Sequence, residues 1–413
     1  MTTTDERDAA ELLGPLAADP PPGPSRVDVA ETMRAGARRR RNRRVSSALA
    51  FTAVALVAVG GGSWAMASAR RDPGRPLVPP AASTAPAPRK SVVPRAVSCE
   101  VTRLPTGGIE KAVVSGADPS GRWIVGRTYP TRKFSYPLAI WKDSKLVESV
   151  EMPGQDQHLY DINSNGDAVG SSFGDSDHET AYAYVGGKLR TLKGGNGTAG
   201  VITESGRIGG RLNEPGALEG RAVVWDSASA EPELVPLPPG TTESGIVGIG
   251  EDGTVVFTAG TDDGRSTGYL WLTDGTIRKL PLPAVDTHDL GRKKATSFSP
   301  DAINGGWVSG TARYENEQGI YWSGYRYRIA DGRTELLGDV QNPDVIAANG
   351  WIASGGSTPV LFTGDTVVKL PGYGKGSREA GYEIRGISDD GRTVAGYQSG
   401  VGLTNHPLVW RCE

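Results

Sequence analysis

From residue 113 onward the chain repeats one pattern of apolar and polar positions. A short apolar stretch leads into a polar turn ending in Gly, and a second apolar stretch often closes on Gly. A polar loop follows, then an apolar–aromatic strand and a leucine-bearing strand. The first copy reads VVSGADPSGRWIVG (113–126), PLAIWKD (137–143) and KLVESVEMP (145–153). The turn glycines Gly121, Gly166, Gly206, Gly253, Gly306, Gly350 and Gly391 recur at intervals of 40 to 53 residues. Short apolar runs separated by Asp, Asn and Gly predict strands joined by turns. Four such strands per unit at this period predict an all-β fold, a seven-bladed β-propeller. Six and eight blades stay open as counts, because the fifth and sixth units match the pattern least.

The units are placed at 113–153, 159–193, 199–238, 246–283, 295–340, 344–371 and 382–413. Their third strands carry Trp141, Tyr184, Trp225, Trp271, Tyr327, Phe362 and Trp410, rings expected to fill the wedge between neighbouring blades. The last unit stops after its third strand, LVWRCE (408–413), whereas CEVTRLP (99–105) ahead of the first unit reads like a fourth strand. The N-terminal strand is therefore expected to complete the last blade. That pairing puts Cys99 and Cys412 beside the hairpin turn at which the chain is cut, where a disulfide replaces the missing turn.

The blocks DINSNGDAVG (161–170), AINGGWVSG (302–310) and GISDDGRTVAGYQSG (386–400), followed by AYAYVGGKL (181–189) or PLVW (407–410), resemble the HAF-type extracellular repeat of bacteria, a propeller-like family. The resemblance covers roughly 113–413. It implies the fold and an extracellular setting, and nothing about activity.

The N-terminal quarter has a different character. Residues 1–44 form a basic, largely disordered tail with helical tendency at 5–18 and 27–41, and it ends in the cluster RRRRNRR (38–44). The uncharged run 45–69 is long enough to span a bilayer, and the Arg cluster before it favours an N-inside single-pass signal anchor. The rival is a signal peptide cleaved near Ala69, which leaves a secreted domain. Residues 70–98 are a Pro/Ala-rich linker, and 99–413 are the propeller, outside the cytoplasm on either reading. An oxidising compartment permits the disulfide. Residues 1–98 hold 15 Lys/Arg and 8 Asp/Glu, so 99–413 carry a net charge near −9, which argues against a nucleic-acid partner.

No motif calls for a cofactor or metal. DINSNGD (161–167) has the opening of a calcium loop, but Ser172 stands where the closing Glu belongs, so it reads as the blade's first turn. GSSFG (170–174) spells a hydrolase elbow without the helix that the elbow requires. Asp118, Asp161 and Asp301 read as equivalent turn positions. The four histidines, His158, His178, His288 and His406, read as solvated loop residues without metal-ligand spacing.

The remaining signal is loop length. Connections between second and third strands, and between blades, are long, and they share one face. Tyr129, Phe134, Tyr136, Arg211, Arg313, Tyr314, Tyr373 and His406 on these segments are the candidate binding residues. The expected function is a membrane-anchored extracytoplasmic module that binds a protein, peptide or glycan through that face. The alternatives are a propeller hydrolase or lyase with a central-funnel site, and a transmembrane sensor that recruits a cytosolic partner through residues 1–44.

Overall fold

The computed structural model describes residues 98–413, apart from 131–135, 175–177, 214–219, 262–265, 288–290, 317–318, 339, 375–380 and 401–403. The tail, the 45–69 run, nearly all of the linker and Phe134 lie outside the described residues. Among the described residues every regular element is a strand, and no helix is long and apolar enough to cross a membrane.

After β1 (Cys99–Arg103) comes an antiparallel meander of β2 (Ala112–Ala117), β3 (Trp123–Thr128), β4 (Leu138–Lys142) and β5 (Lys145–Val150). A seven-stranded sheet follows: β6 (Gln155–Ile162), β7 (Ala168–Phe173), β8 (Glu179–Val185), β9 (Lys188–Ile202), β10 (Ile208–Asn213), β11 (Gly220–Trp225) and β12 (Pro232–Leu234). The long β9 joins its two halves, pairing with β8 mainly through Lys188–Thr191 and with β10 through Gly197–Ile202. The next meander is β13 (Glu243–Ile249), β14 (Val255–Gly260), β15 (Ser266–Trp271) and β16 (Ile277–Lys279). A separate hairpin, β17 (Ala284–Thr287) with β18 (Gly291–Lys294), occupies the connection 284–294 that the sequence pattern leaves as a loop. Two more meanders run β19 (Ser297–Asn304), β20 (Trp307–Asn316), β21 (Gly319–Arg328), β22 (Thr334–Leu336), then β23 (Val345–Ile346), β24 (Ile352–Ser354), β25 (Val360–Phe362), β26 (Val367–Lys369). The last sheet is β27 (Gly381–Ile387), β28 (Thr393–Ser399) and β29 (Asn405–Cys412), completed on its outer edge by β1.

The clasp forms as the sequence predicts. β1 pairs with β29 from Cys99↔Cys412 to Arg103↔Leu408, and a disulfide joins the two cysteines. They are cross-strand partners at the end of the ladder. The first and last sheets share one core cluster, in which Leu104, Val114, Ile124 and Trp141 pack with Ala395 and Val409. The described domain is therefore closed upon itself.

The third-strand rings do the expected packing. Trp141, Trp225 and Trp410 are wholly buried, and Tyr184, Tyr327 and Phe362 nearly so, while Trp271 is half-buried. Three indoles also reach back to a carbonyl just past the fourth-strand leucine (Leu104, Leu192 and Leu370) of the preceding unit. Trp141 Nε1 donates to Pro105 O (2.6 Å), Trp225 Nε1 to Lys193 O (2.9 Å) and Trp410 Nε1 to Pro371 O (2.8 Å). A buried indole N–H needs such an acceptor, so each ring locks one unit to the next.

The turns between first and second strands link the units on one face. Asn163 Oδ1 accepts from Asn165 N and Asp167 N (3.1 Å each), and its Nδ2 donates to Thr203 O in the neighbouring turn (3.1 Å). Ser164 Oγ reaches Asp118 Oδ2 on the other side (2.8 Å). Asp389 N donates to Pro119 O (2.7 Å), tying the last turn to the first. The Asp/Asn/Gly block is thus a turn and an inter-unit staple.

A recurring bulge explains the second-strand glycines. The pairing of first with second strand skips Ser115, Tyr160, Gly200, Val247, Asp301 and Arg385. The bulge drives the first-strand backbone against its neighbour. A Cβ on Gly126 would lie 1.9 Å from Val113 O, and one on Gly170 1.8 Å from His158 O, so only glycine fits.

Candidate binding site

All six bulged residues line a central cavity of about 340 Å³ that is walled by the first strands. A bulge breaks the period-two alternation by one residue, and here it turns the extra side chain toward the axis. The wall is acidic: Asp161, Glu204, Glu251, Asp301, Asp344 and Asp389 face it, with Arg385 as the basic counterpart. Arg385 is itself paired with Glu383 (3.0 Å). Burial pushes the Asp161 carboxyl up to about 7, against the opposing pull of hydrogen bonds from Ile202 N and Ile162 N (2.9 Å each). Asp301 is pushed up to about 6 by enclosure within the protein, although cavity water reaches it, and Thr311 Oγ1 donates to it (3.2 Å). Among the described residues no group of three or more His, Cys, Asp or Glu side chains could hold a metal ion. The three aspartates are not equivalent, contrary to the sequence reading. Asp118 caps its turn by accepting from Trp123 N (2.7 Å), Asp161 precedes its own turn, and Asp301 is a bulge residue aimed at the cavity.

Toward the opposite end of the strands from the linked turns lies an aromatic and charged cluster, of which only Tyr160 also lines the cavity. Arg127, near the end of β3, stacks its guanidinium on Tyr129 (4.9 Å to the centroid) and on Tyr136 (5.3 Å). The two tyrosine rings lie 5.0 Å apart, and Lys111 Nζ sits 4.6 Å from the Tyr129 centroid. Arg127 Nε donates to Tyr129 Oη (2.6 Å), and its NH1 pairs with Asp156. On the next inner strand His158 stacks flat on Tyr160, with centroids 4.4 Å apart and an interplanar angle of 6°. Burial, then the nearby Arg127 charge, pulls the His158 pKa down to about 4, so the ring is neutral at ordinary pH. Ser171 Oγ bridges Tyr160 Oη (3.3 Å) and Glu179 (2.8 Å). Tyr160 belongs to both regions, since its bulged position also lines the cavity. The cluster joins cation–π faces, a neutral imidazole and paired charges in one place, and several of its hydrogen bonds are already satisfied within the protein. It is suited to recognition by stacking and shape.

The structure brings together only some of the candidate residues. Tyr129 and Tyr136 meet, as described. Tyr373 and His406 form a separate edge-on pair, with centroids 5.9 Å apart, on the last sheet's side. Arg211 lies on β10 and Arg313 on β20, in strands and not in loops. His158 and His406 are likewise strand residues on β6 and β29, which corrects their reading as loop histidines. Burial lowers the His406 pKa, and its Nδ1 is buried without a hydrogen-bond partner. Tyr314 is overturned as a binding residue. Residues 311–316 continue β20, Tyr314 is 1% exposed, and its hydroxyl donates to Tyr325 Oη (2.8 Å). Its burial was legible in the sequence, because Val308, Gly310, Ala312 and Tyr314 continue one alternating face. Tyr160 was missed because nothing local announces a bulge, and Arg127 and His158 because they are brought together from separate segments of the chain, Arg127 also with Tyr136.

The chain matches no protein-family model and no curated protein sequence. Solved structures do match. The β-propeller domain of the Trilobed protease from Pyrococcus furiosus, which has an open velcro topology, aligns at 13% identity over 73% of this chain and 95% of that one, with a TM-score of 0.50. An oligogalacturonate lyase from Vibrio parahaemolyticus aligns at 12% identity over 75% of this chain and 93% of that one, also at 0.50. These likenesses establish the fold class: the described domain is a β-propeller.

Proposed function

We propose that this chain is a membrane-anchored, extracytoplasmic seven-bladed β-propeller that binds a protein, peptide or glycan segment at the cluster formed by Arg127, Tyr129, Tyr136, His158 and Tyr160. The count of seven is supported by five four-stranded sheets and by the division of the seven-stranded sheet through β9. The anchor rests on the uncharged run 45–69 behind its Arg cluster, and the outside location also on the Cys99–Cys412 bridge. The observation that carries the binding role is the stacked Arg127–Tyr129–Tyr136 group beside the flat His158–Tyr160 pair. Buried aromatic and Arg anchors dominate most recognition surfaces.

The test presents the purified full-length chain to arrayed peptides and glycans. Tyr136→Ala should weaken the best binder at least tenfold, whereas Lys142→Ala with Lys188→Ala, on the tight-turn face, should leave it within twofold. The reverse outcome refutes this orientation. A reporter fused after Glu413 should be active only outside the cytoplasm, and the protein should resist alkaline extraction. A soluble product that begins near Arg70 would replace the anchor with a cleaved signal.

A second reading, an enzyme with its site in the central cavity, is favoured by one observation, the raised pKa values of Asp161 and Asp301 on the cavity wall.

A further inference from the structure

A second cavity, of about 900 Å³, lies between the β13–β16 and β19–β22 meanders, on different units from the Tyr129–Tyr136 cluster. One wall is the end of β14 and the start of β15. Ser266 and Thr267 stand there beside Tyr269, whose ring stacks on buried Phe257 (centroids 5.6 Å apart) and is thereby held in place. The other wall is the β20–β21 hairpin. Its strands are ten residues long, against six for β14 and β15, so it rises past its neighbour as a flank. Arg313 and Glu315 line this flank as an ion pair. Arg313 also lies over the ring of Trp322, its register partner, at 5.9 Å. Trp322 is 51% exposed and Ile320 53%, a large apolar rim for a soluble surface. The carbonyl of Arg313 accepts from Thr296 N (2.8 Å) and Thr296 Oγ1 (3.0 Å), which fixes the flank to the segment leading into the first strand of its own unit.

We infer that this cleft binds a neutral saccharide segment, with Trp322 as the stacking platform and the Arg313–Glu315 pair with Ser266 and Thr267 as the hydrogen-bonding wall. The inference is independent of the ligand at the Arg127–Tyr129–Tyr136 cluster. Three features select the class. Hydroxyl side chains dominate the lining, and a hydroxyl both donates and accepts, as the ring hydroxyls of a sugar do. The Arg313–Glu315 pair offers donors and acceptors together, as a diol requires, and Lys279 adds one further cation to the lining. An exposed indole beside them presents an apolar face to the C–H side of a pyranose. The volume falls within the range of small-molecule sites.

The experiment is saturation-transfer NMR on the full-length chain with neutral hexasaccharides of glucose, mannose, galactose and xylose. A hexagalacturonate and an extended hexapeptide serve as comparison ligands. At least one neutral hexasaccharide should bind, with Trp322→Ala and Arg313→Ala each weakening it tenfold or more and Lys188→Ala leaving it within twofold. The melting temperature of Trp322→Ala should match that of the parent, which separates lost binding from lost folding. Binding of none of the neutral sugars, binding by the anionic sugar or the peptide alone, or neutral binding that survives Trp322→Ala would each overturn the inference.

Discussion

Replacing Cys412 by Ser opens the clasp, and its cost can be worked from the topology. The bridge joins residues 313 apart in sequence. By the chain-entropy relation a loop of that length restricts the unfolded ensemble by about 5–6 kcal/mol, while native bridges typically contribute about 2–5 kcal/mol. An unfolding entropy of about 2.1 cal/mol/K per residue gives about 0.66 kcal/mol/K for residues 98–413. The melting temperature should therefore fall by about 3–9 °C. The folded state loses little besides the bridge, because β1 keeps its ladder to β29, Leu104 stays in the shared core, and Glu413 N still donates to Ser98 O (3.0 Å). The single variants Cys412→Ser and Cys99→Ser and the double variant should thus melt together, since each removes the same cross-link. The assay is calorimetry of exported full-length protein without reductant, accompanied by thiol labelling. Two labelled thiols in exported parent protein, or a shift below about 1 °C in all three variants, would refute the clasp as a stabilising closure.

The remaining predictions follow from packing and charge. Tyr314→Phe should cost about 0.5–1.5 kcal/mol by removing one of two partners of the Tyr325 hydroxyl, which still donates to Ala284 O (3.4 Å), and Tyr314→Ala about 3–5 kcal/mol, both read by chemical denaturation. Trp225→Ala should likewise cost about 3–5 kcal/mol, because it empties an inter-unit wedge and orphans Lys193 O. His158 has its folded pKa near 4, below the unfolded value, so its contribution is present above pH 6.5 and is lost as pH falls through 4. The upper bound on that loss is about 3 kcal/mol, and an NMR titration midpoint above pH 6 would contradict the burial that causes it. Asp161 runs the other way: its folded pKa near 7 lies above the unfolded value, so its contribution is complete below pH 3.8 and is lost as pH rises through 7. Asp161→Asn should therefore make the slope of melting temperature against pH more positive between pH 5 and 8.

What the sequence by itself determined is what local chemistry controls. Period-two alternation, Asp/Asn/Gly turns and the third-strand rings marked the meanders, and LVWRCE facing CEVTRLP marked the clasp between Cys99 and Cys412. These signals lie within a few residues of one another or repeat along the chain, so no distant partner is needed to read them. The tertiary structure alone decided which side chains meet. A bulge shifts the alternation by one residue, so Tyr160 and Arg385 turn to the axis from positions that the pattern assigns no role, and Asp301 from one that reads as a turn. His158 became a stacked, neutral ring because the fold buries it against Tyr160, with the Arg127 charge nearby. The Arg313–Trp322 flank rises because β20 and β21 keep pairing past the length of their neighbours, a matter of cross-strand register rather than of composition. Burial and charge pairing depend on which surfaces the closed ring brings together, and that choice is made between strands far apart in sequence.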